Sequence, residues 1–274
     1  MAGSAVEEID PRFDAEWRAR FERFGRCHHE DHAVSGWSAE GLARRLKVFG
    51  ALVGELPLEK GSWVLELGCG AGTYVRYLTG LGHHVVGVDY AFPSLERATA
   101  ADQRRLGRYV AADGYELPFA PACFDLVVCV GVLQALSRPE RLIDEIAGVL
   151  RPHGLVVVEV LNAFGPGRVS RRLRAALGRR GGRVRFFRPS HVARWLAQRD
   201  ITLTRRIAVH LPPRRYPALG QVLDSRTARW LLDAVSGGAL LTAHAFWLVG
   251  EKAAGGHVRS SEGWSLIAPG REHA

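Results

Sequence analysis

Three acidic residues and a run of glycines carry the spacing that chemistry needs. Glu66 closes the apolar run Trp63-Val64-Leu65 and is followed by Gly68, Gly70 and Gly72, ahead of Thr73-Tyr74. Such a stretch reads as a buried strand, a tight loop and the start of a helix. The glycines let the backbone turn sharply and approach a ligand with no Cβ in the way, and the helix N-terminus offers free N–H groups. A nucleotide-like ligand suits that arrangement. The spacing is neither the dinucleotide G-x-G-x-x-G, whose last glycine would fall on Thr73, nor the phosphate loop G-x-x-x-x-G-K-[ST], which is absent. Asp89 ends the next apolar run, His84-Val85-Val86-Gly87-Val88. A carboxylate there can accept from the 2′- and 3′-hydroxyls of a ribose together. Capping a helix that begins near Pro93 is the weaker reading, because the acid ends the strand too early. Asp113 stands before Gly114 at the end of Arg108-Tyr109-Val110-Ala111-Ala112, as a third strand-end acid or as a turn residue.

A second cluster, Cys27-His28-His29-Glu30-Asp31-His32, has the residue types of a metal site. His28 and His32 can share a helix face, but Cys-His-His-x-x-His is not an established zinc spacing and no second cluster accompanies it. The expectation is no metal. A solvated loop, or His28, His29 or His32 as a general base toward a reacting molecule, remains.

The elements that must position these residues follow from periodicity. Phe13, Trp17, Phe21 and Phe24 mark an amphipathic helix whose aromatic face must cover something. Leu42, Leu46, Phe49 and Val53 mark a second helix, stopped by Pro57 and the Glu59-Lys60-Gly61 turn. A helix over about 73–79 follows the glycine loop. Residues 139–150 read as a helix and Leu155 to Val160 as a fifth strand. Further helices are expected from Pro189 and over 219–235, with strands over 201–211 and 244–252. From Ala253 the chain reads as a disordered tail.

The chain has 274 residues, 47% hydrophobic and 24% charged, enough for one large α/β domain with an insertion. No apolar run approaches the roughly 20 residues of a membrane-spanning helix. The acidic N-terminus is unlike a secretory signal, and Cys27, Cys69, Cys123 and Cys129 lack paired spacing. Both point to a cytoplasmic protein. The net charge of +9 is localised: nine arginines lie between Arg168 and Arg188, no acid occurs from Val160 through Arg199, and the other 28 basic residues are matched by 28 acids. Val169, Leu173, Ala176 and Leu177 share a helical face there while arginines crowd the other. A basic amphipathic helix suits an anionic membrane surface or an acidic partner. A solvated arginine-rich face in an arginine-biased chain is the plain alternative.

The Val64-Leu65-Glu66-Leu67-Gly68-Cys69-Gly70-Ala71-Gly72 stretch resembles motif I of the class I S-adenosylmethionine (SAM)-dependent methyltransferases. Leu117-Pro118-Phe119, Phe124-Asp125-Leu126-Val127 and Leu150-Arg151-Pro152-His153-Gly154 extend the resemblance from about Gly61 to Asn162, toward the small-molecule, type 11 subgroup. It implies an α/β fold with a seven-stranded, doubly wound sheet, mostly parallel with the last strand antiparallel. An N-terminal helical cover (1–39), a methyltransferase domain (40–252) with a basic lid or insertion after strand five (163–188) and a tail (253–274) follow from it.

The same resemblance implies SAM as cofactor. Glu66, Gly68, Cys69 and Gly70 would form its loop, with Glu66 supporting the loop or the ligand's ammonium group. Asp89 and Tyr90 would lie at the ribose. Asp113 would accept from the adenine amino group beside the Gly114 N–H, with Val130 at the end of strand four. Many relatives carry His-His where this chain has Gln134-Ala135, so a base there is replaced by Gln134, which can orient an acceptor. The implied reaction is methyl transfer to O, N or C of a small molecule, lipid-like, quinone-like or a secondary metabolite. An RNA methyltransferase using the arginines as a phosphate track is disfavoured, because Cys129-Val130-Gly131-Val132 stands where a base-presenting motif would be. A non-catalytic SAM-binding or scaffold protein is the third reading.

Overall fold

The computed structural model describes residues 12–178, 182–210 and 238–255. Its centre is a seven-stranded sheet in the order β3-β2-β1-β4-β5-β7-β6. The strands are β1 (Trp63–Leu67), β2 (His84–Asp89), β3 (Arg108–Ala111), β4 (Phe124–Cys129), β5 (Leu150–Leu161), β6 (Ile201–Val209) and β7 (Ala245–Lys252). β1 pairs in parallel with β2 and with β4, and β4 in parallel with β5. β7 runs antiparallel to both β5 and β6. The doubly wound sheet with its antiparallel last strand agrees with the sequence reading.

Period-two alternation splits the core into two layers. Trp63, Leu65 and Leu67 of β1 and Val156, Val158 and Val160 of β5 face one layer, while Val64, Leu155 and Val157 face the other. α6 (Pro139–Val149) and α8 (Pro189–Ala197) cover the first layer through Leu142, Ile146, Val192 and Leu196. α3 (Ala39–Val53), α4 (Thr73–Gly80) and α5 (Phe92–Ala101) cover the second through Phe49, Leu52, Val75, Leu78 and Leu95. The central strands are therefore buried on both faces and read as continuous apolar runs. At the far edge β6 is mostly exposed and carries Thr202, Thr204, Arg205 and Arg206, polar residues that discourage edge pairing with another chain.

Strand order reverses between β1 and β4, and the loops leaving their C-terminal ends open a crevice, the place where ligands bind in open α/β sheets. α1 (Arg12–Cys27) lies across that end and packs on α5. Gly25 makes the approach possible, since a Cβ there would stand 2.6 Å from the Ser94 nitrogen. The short α2 (Asp31–Val34) joins α1 to α3, whose N-terminus is capped by the Ser38 hydroxyl accepting from the Gly41 N–H at 3.1 Å. After β5, α7 (Pro166–Ala176) carries the basic segment, and α9 (Gly238–Thr242) precedes β7. The expected helix over 219–235, the first eleven residues and the tail beyond 255 lie outside the described residues.

Candidate functional site

The glycine loop is built by backbone conformation. Gly68, Gly70 and Gly72 have φ of +68°, +50° and +74°, a region that side-chain-bearing residues avoid. Gly68 is further constrained by Val132, because a Cβ at 68 would overlap its Cγ2. The loop is pinned to the neighbouring strand by the Gly68 and Cys69 N–H groups, which both donate to the Val88 carbonyl, at 2.8 and 3.0 Å. Asp89 completes the fastening. Its Oδ2 accepts from the Gly70 N–H at 2.9 Å and its Oδ1 from the Ala91 N–H at 2.8 Å. Each oxygen keeps a lone pair for a further donor. Burial raises the Asp89 carboxyl, and the N–H groups of Ala91, Gly70 and Tyr90 act against that.

These residues line a cleft of about 250 Å³ at the strand ends. Of the sequence-predicted cofactor residues, Gly68, Gly70, Asp89, Tyr90, Asp113, Gly114 and Val130 line it. Glu66 and Cys69 lie behind it. Glu66 is 3% exposed, its Oε2 has no hydrogen-bond partner, and burial pushes its carboxyl well above the usual carboxylate range. It accepts from the Val75 backbone in α4, which ties the loop to that helix. The Cys69 thiol packs in the core against Gly87 and is likewise raised by burial, so only its backbone is near the cleft.

Gln134 also sits behind the lining. It is 8% exposed, and its Nε2 donates to the Gly131 carbonyl at 2.6 Å while its Oε1 has no partner. It therefore shapes the loop after β4, and its neighbour Ala135 faces the cleft. None of the three histidines lines the cleft. The His28 ring packs 5.6 Å from Phe24, His29 Nδ1 meets Arg97 Nη1 at 2.9 Å, and His32 Nε2 lies 3.3 Å from Glu30. The same stretch matters through Asp31, which sequence reasoning passed over. Asp31 accepts from Thr73 Oγ1 at 2.6 Å and pairs with Arg76, locking α2 to the helix after the glycine loop. Among the described residues, no group of three or more His, Cys, Asp or Glu is placed to hold a metal ion.

α1 supplies the cleft's outer wall with Asp14, Arg18 and Phe21. Arg18 lies 4.7 Å over the Tyr90 ring and donates to Asp113 Oδ2 at 2.9 Å. Asp14 accepts from the Ser137 N–H at 2.7 Å and from its hydroxyl, and Arg183 reaches Glu16 at 3.0 Å. These partners are 95, 123 and 167 residues apart, with no local signal in the sequence.

Residues 65–158 match the family described as a methyltransferase domain. Over that stretch the chain is similar to the methyltransferases. A methyltransferase of Mycolicibacterium vanbaalenii is 32% identical over 122 residues, covering 42% of this chain and 48% of its own length. The ubiquinone biosynthesis O-methyltransferase of Maricaulis maris is 30% identical over 163 residues, covering 57% and 61%. The chain thus spans about half the length of the first of these relatives. Among solved structures, the N-methyltransferase NodS of Bradyrhizobium japonicum, in complex with S-adenosylhomocysteine, superimposes with a TM-score of 0.59 at 16% identity, covering 86% of this chain and 98% of that one. That likeness is one of fold.

The cleft fits a nucleoside ligand. Gly68 and Gly70 line it in a left-handed backbone conformation, and the acids Asp89 and Asp113 face the same cleft. The buried Tyr90 hydroxyl beside them lacks a partner.

Proposed function

We propose that the chain transfers the methyl group of SAM to an O, N or C atom of a small, apolar, quinone- or lipid-like acceptor. The observation that supports this best is the convergence of Gly68, Gly70, Asp89 and Asp113 on a single cleft at the switch point of the sheet. When bound, the sulfonium supplies an activated methyl group with a good leaving group. The chain's own part is then alignment and exclusion of water. Asp89 holds two hydroxyls with the lone pairs left by Gly70 and Ala91, and the Gly114 N–H and Asp113 meet the base edge. Phe21, Val132 and Leu136 keep water from the lining. The quinone O-methyltransferase among the relatives supports the acceptor class.

The same reading extends to a surface. Val169, Leu173 and Leu177 are 62%, 62% and 68% exposed on and just after α7, and exposed Phe164 and Leu241 flank it at the same end of β5 and β7. Arg168 and Arg172 stand among them in a segment without acids. This combination suits an anionic bilayer, where arginines meet lipid phosphates and the apolar stripe enters the interface. A screen of radiolabelled SAM against quinols, phenols, lipids and RNA tests the reaction, with transfer to a quinol or lipid expected; transfer to RNA alone would contradict it. Co-sedimentation with phosphatidylglycerol vesicles but not with phosphatidylcholine vesicles, lost in Leu173→Asp, is expected of α7. Equal binding to both would refute that surface.

A further inference from the structure

We propose that Trp37 is the plate on which the methyl acceptor lies, and that the acceptor is a flat aromatic molecule; this rests on the methyl-transfer reading above. Trp37 lies between α2 and α3, is half-buried and lines the cleft. Three contacts fix it. One face is covered by the Arg45 guanidinium, 4.4 Å from the ring centre. Arg45 is held in turn by Glu159, with Nε donating to Oε1 at 2.9 Å, and the two side chains are 3% and 0% exposed. The rim of the indole abuts Gly131, where a Cβ would stand 2.5 Å from Trp37 Cζ2. The Trp37 backbone N–H donates to the His32 carbonyl at 2.7 Å.

The contact with Gly131 gives the plate its location. Gly131 follows Val130 beyond the end of β4, takes φ of +80°, and has its carbonyl held by Gln134. Its neighbour Val132 touches the first glycine of the loop. The plate therefore borders the switch point. The charged contacts of α1, Arg18 with Asp113 and Asp14 with Ser137, belong to the outer wall. Val34 and Val132 add apolar lining and Ser35 a hydroxyl. In this proposal the acceptor meets the indole face that Arg45 leaves uncovered, at little entropic cost because the ring is already held by Arg45 and Gly131. Such a face favours an aromatic ring over an aliphatic one of equal size, by roughly two- to tenfold in affinity. No residue of this plate carries a motif, which is why sequence reading passed it by.

The test uses the full chain saturated with S-adenosylhomocysteine and a matched pair of probes, 2-naphthol and its saturated counterpart decahydro-2-naphthol, in calorimetric titrations. The wild type is expected to prefer 2-naphthol by roughly two- to tenfold. Trp37→Leu, which keeps apolar volume without a π face, should abolish the preference, and Trp37→Phe should retain part of it. Both variants should keep the wild-type circular-dichroism spectrum, which reports that the fold is intact, and each is titrated at its own saturating S-adenosylhomocysteine. No preference in the wild type, or one that survives in Trp37→Leu, would overturn the proposal. Failure of the wild type to bind S-adenosylhomocysteine would instead overturn the cofactor reading, and the plate with it.

Discussion

Arg45→Met tests how α3 is held to β5. The Arg45–Glu159 pair joins α3 to β5 across 114 residues of sequence, and both side chains are buried. Glu159 Oε1 also receives the Trp247 indole N–H at 3.3 Å, whereas Oε2 has no partner. Removing the guanidinium leaves a buried carboxylate with one long hydrogen bond. Breaking such a pair from one side costs about 3–5 kcal/mol, against a total stability of about 5–15 kcal/mol for an ordinary domain. Converting both residues, Arg45→Met with Glu159→Met, removes the stranded charge and fills the space, and such exchanges are often near neutral. The double variant should therefore be the more stable of the two, recovering most of that loss in urea denaturation. A single variant that loses less than about 1 kcal/mol, or a double variant whose losses simply add, would refute the reasoning.

Gly68→Ala should destabilise by about 2–5 kcal/mol, the left-handed backbone and the overlap with Val132 acting together, and Val132→Ala added to it should return the overlap part. Strictly additive losses in the same cycle would contradict this origin. His244 should make stability fall on acidification. Burial first, then the Arg45 charge, lower its imidazole to about 4, with Glu159 acting in opposition. The unfolded chain binds the proton near pH 6.5, so this contribution is complete above that pH and lost as pH falls toward 4. It amounts to roughly 3 kcal/mol. His244→Gln should flatten the profile in that window, and an unchanged slope there would assign the dependence to other groups.

The legible parts of the fold were those coded locally. β1 and β2 announce themselves as apolar runs ended by a glycine or an acid, and their observed bounds, Trp63–Leu67 and His84–Asp89, follow those signals. The order of the strands is not local, and it came from the family resemblance. Asp89 and Asp113 could be picked out because Asp89 ends β2 and Asp113 follows β3 by two residues, and both face the cleft. Arg18, Asp14 and Trp37 could not, since an arginine, an aspartate or a tryptophan on an amphipathic stretch looks the same whether it faces solvent, core or ligand. The histidines drew attention by their chemistry, yet the tie in that stretch is Asp31, whose partners Thr73 and Arg76 lie more than forty residues on. A side chain's type names what it can do, while long-range packing decides whether it is placed to do it.

Calorimetric titration of S-adenosylhomocysteine into the wild type and Asp89→Ala is the most direct test of the central claim, that the strand-end cleft holds the methyl donor. Losing two hydroxyl hydrogen bonds to a charged acceptor, at about 1.5–3 kcal/mol each, should weaken binding by at least a hundredfold. Wild-type binding that collapses in Asp89→Ala is the predicted result, and equal affinity in the two proteins, or no binding by the wild type, would contradict it.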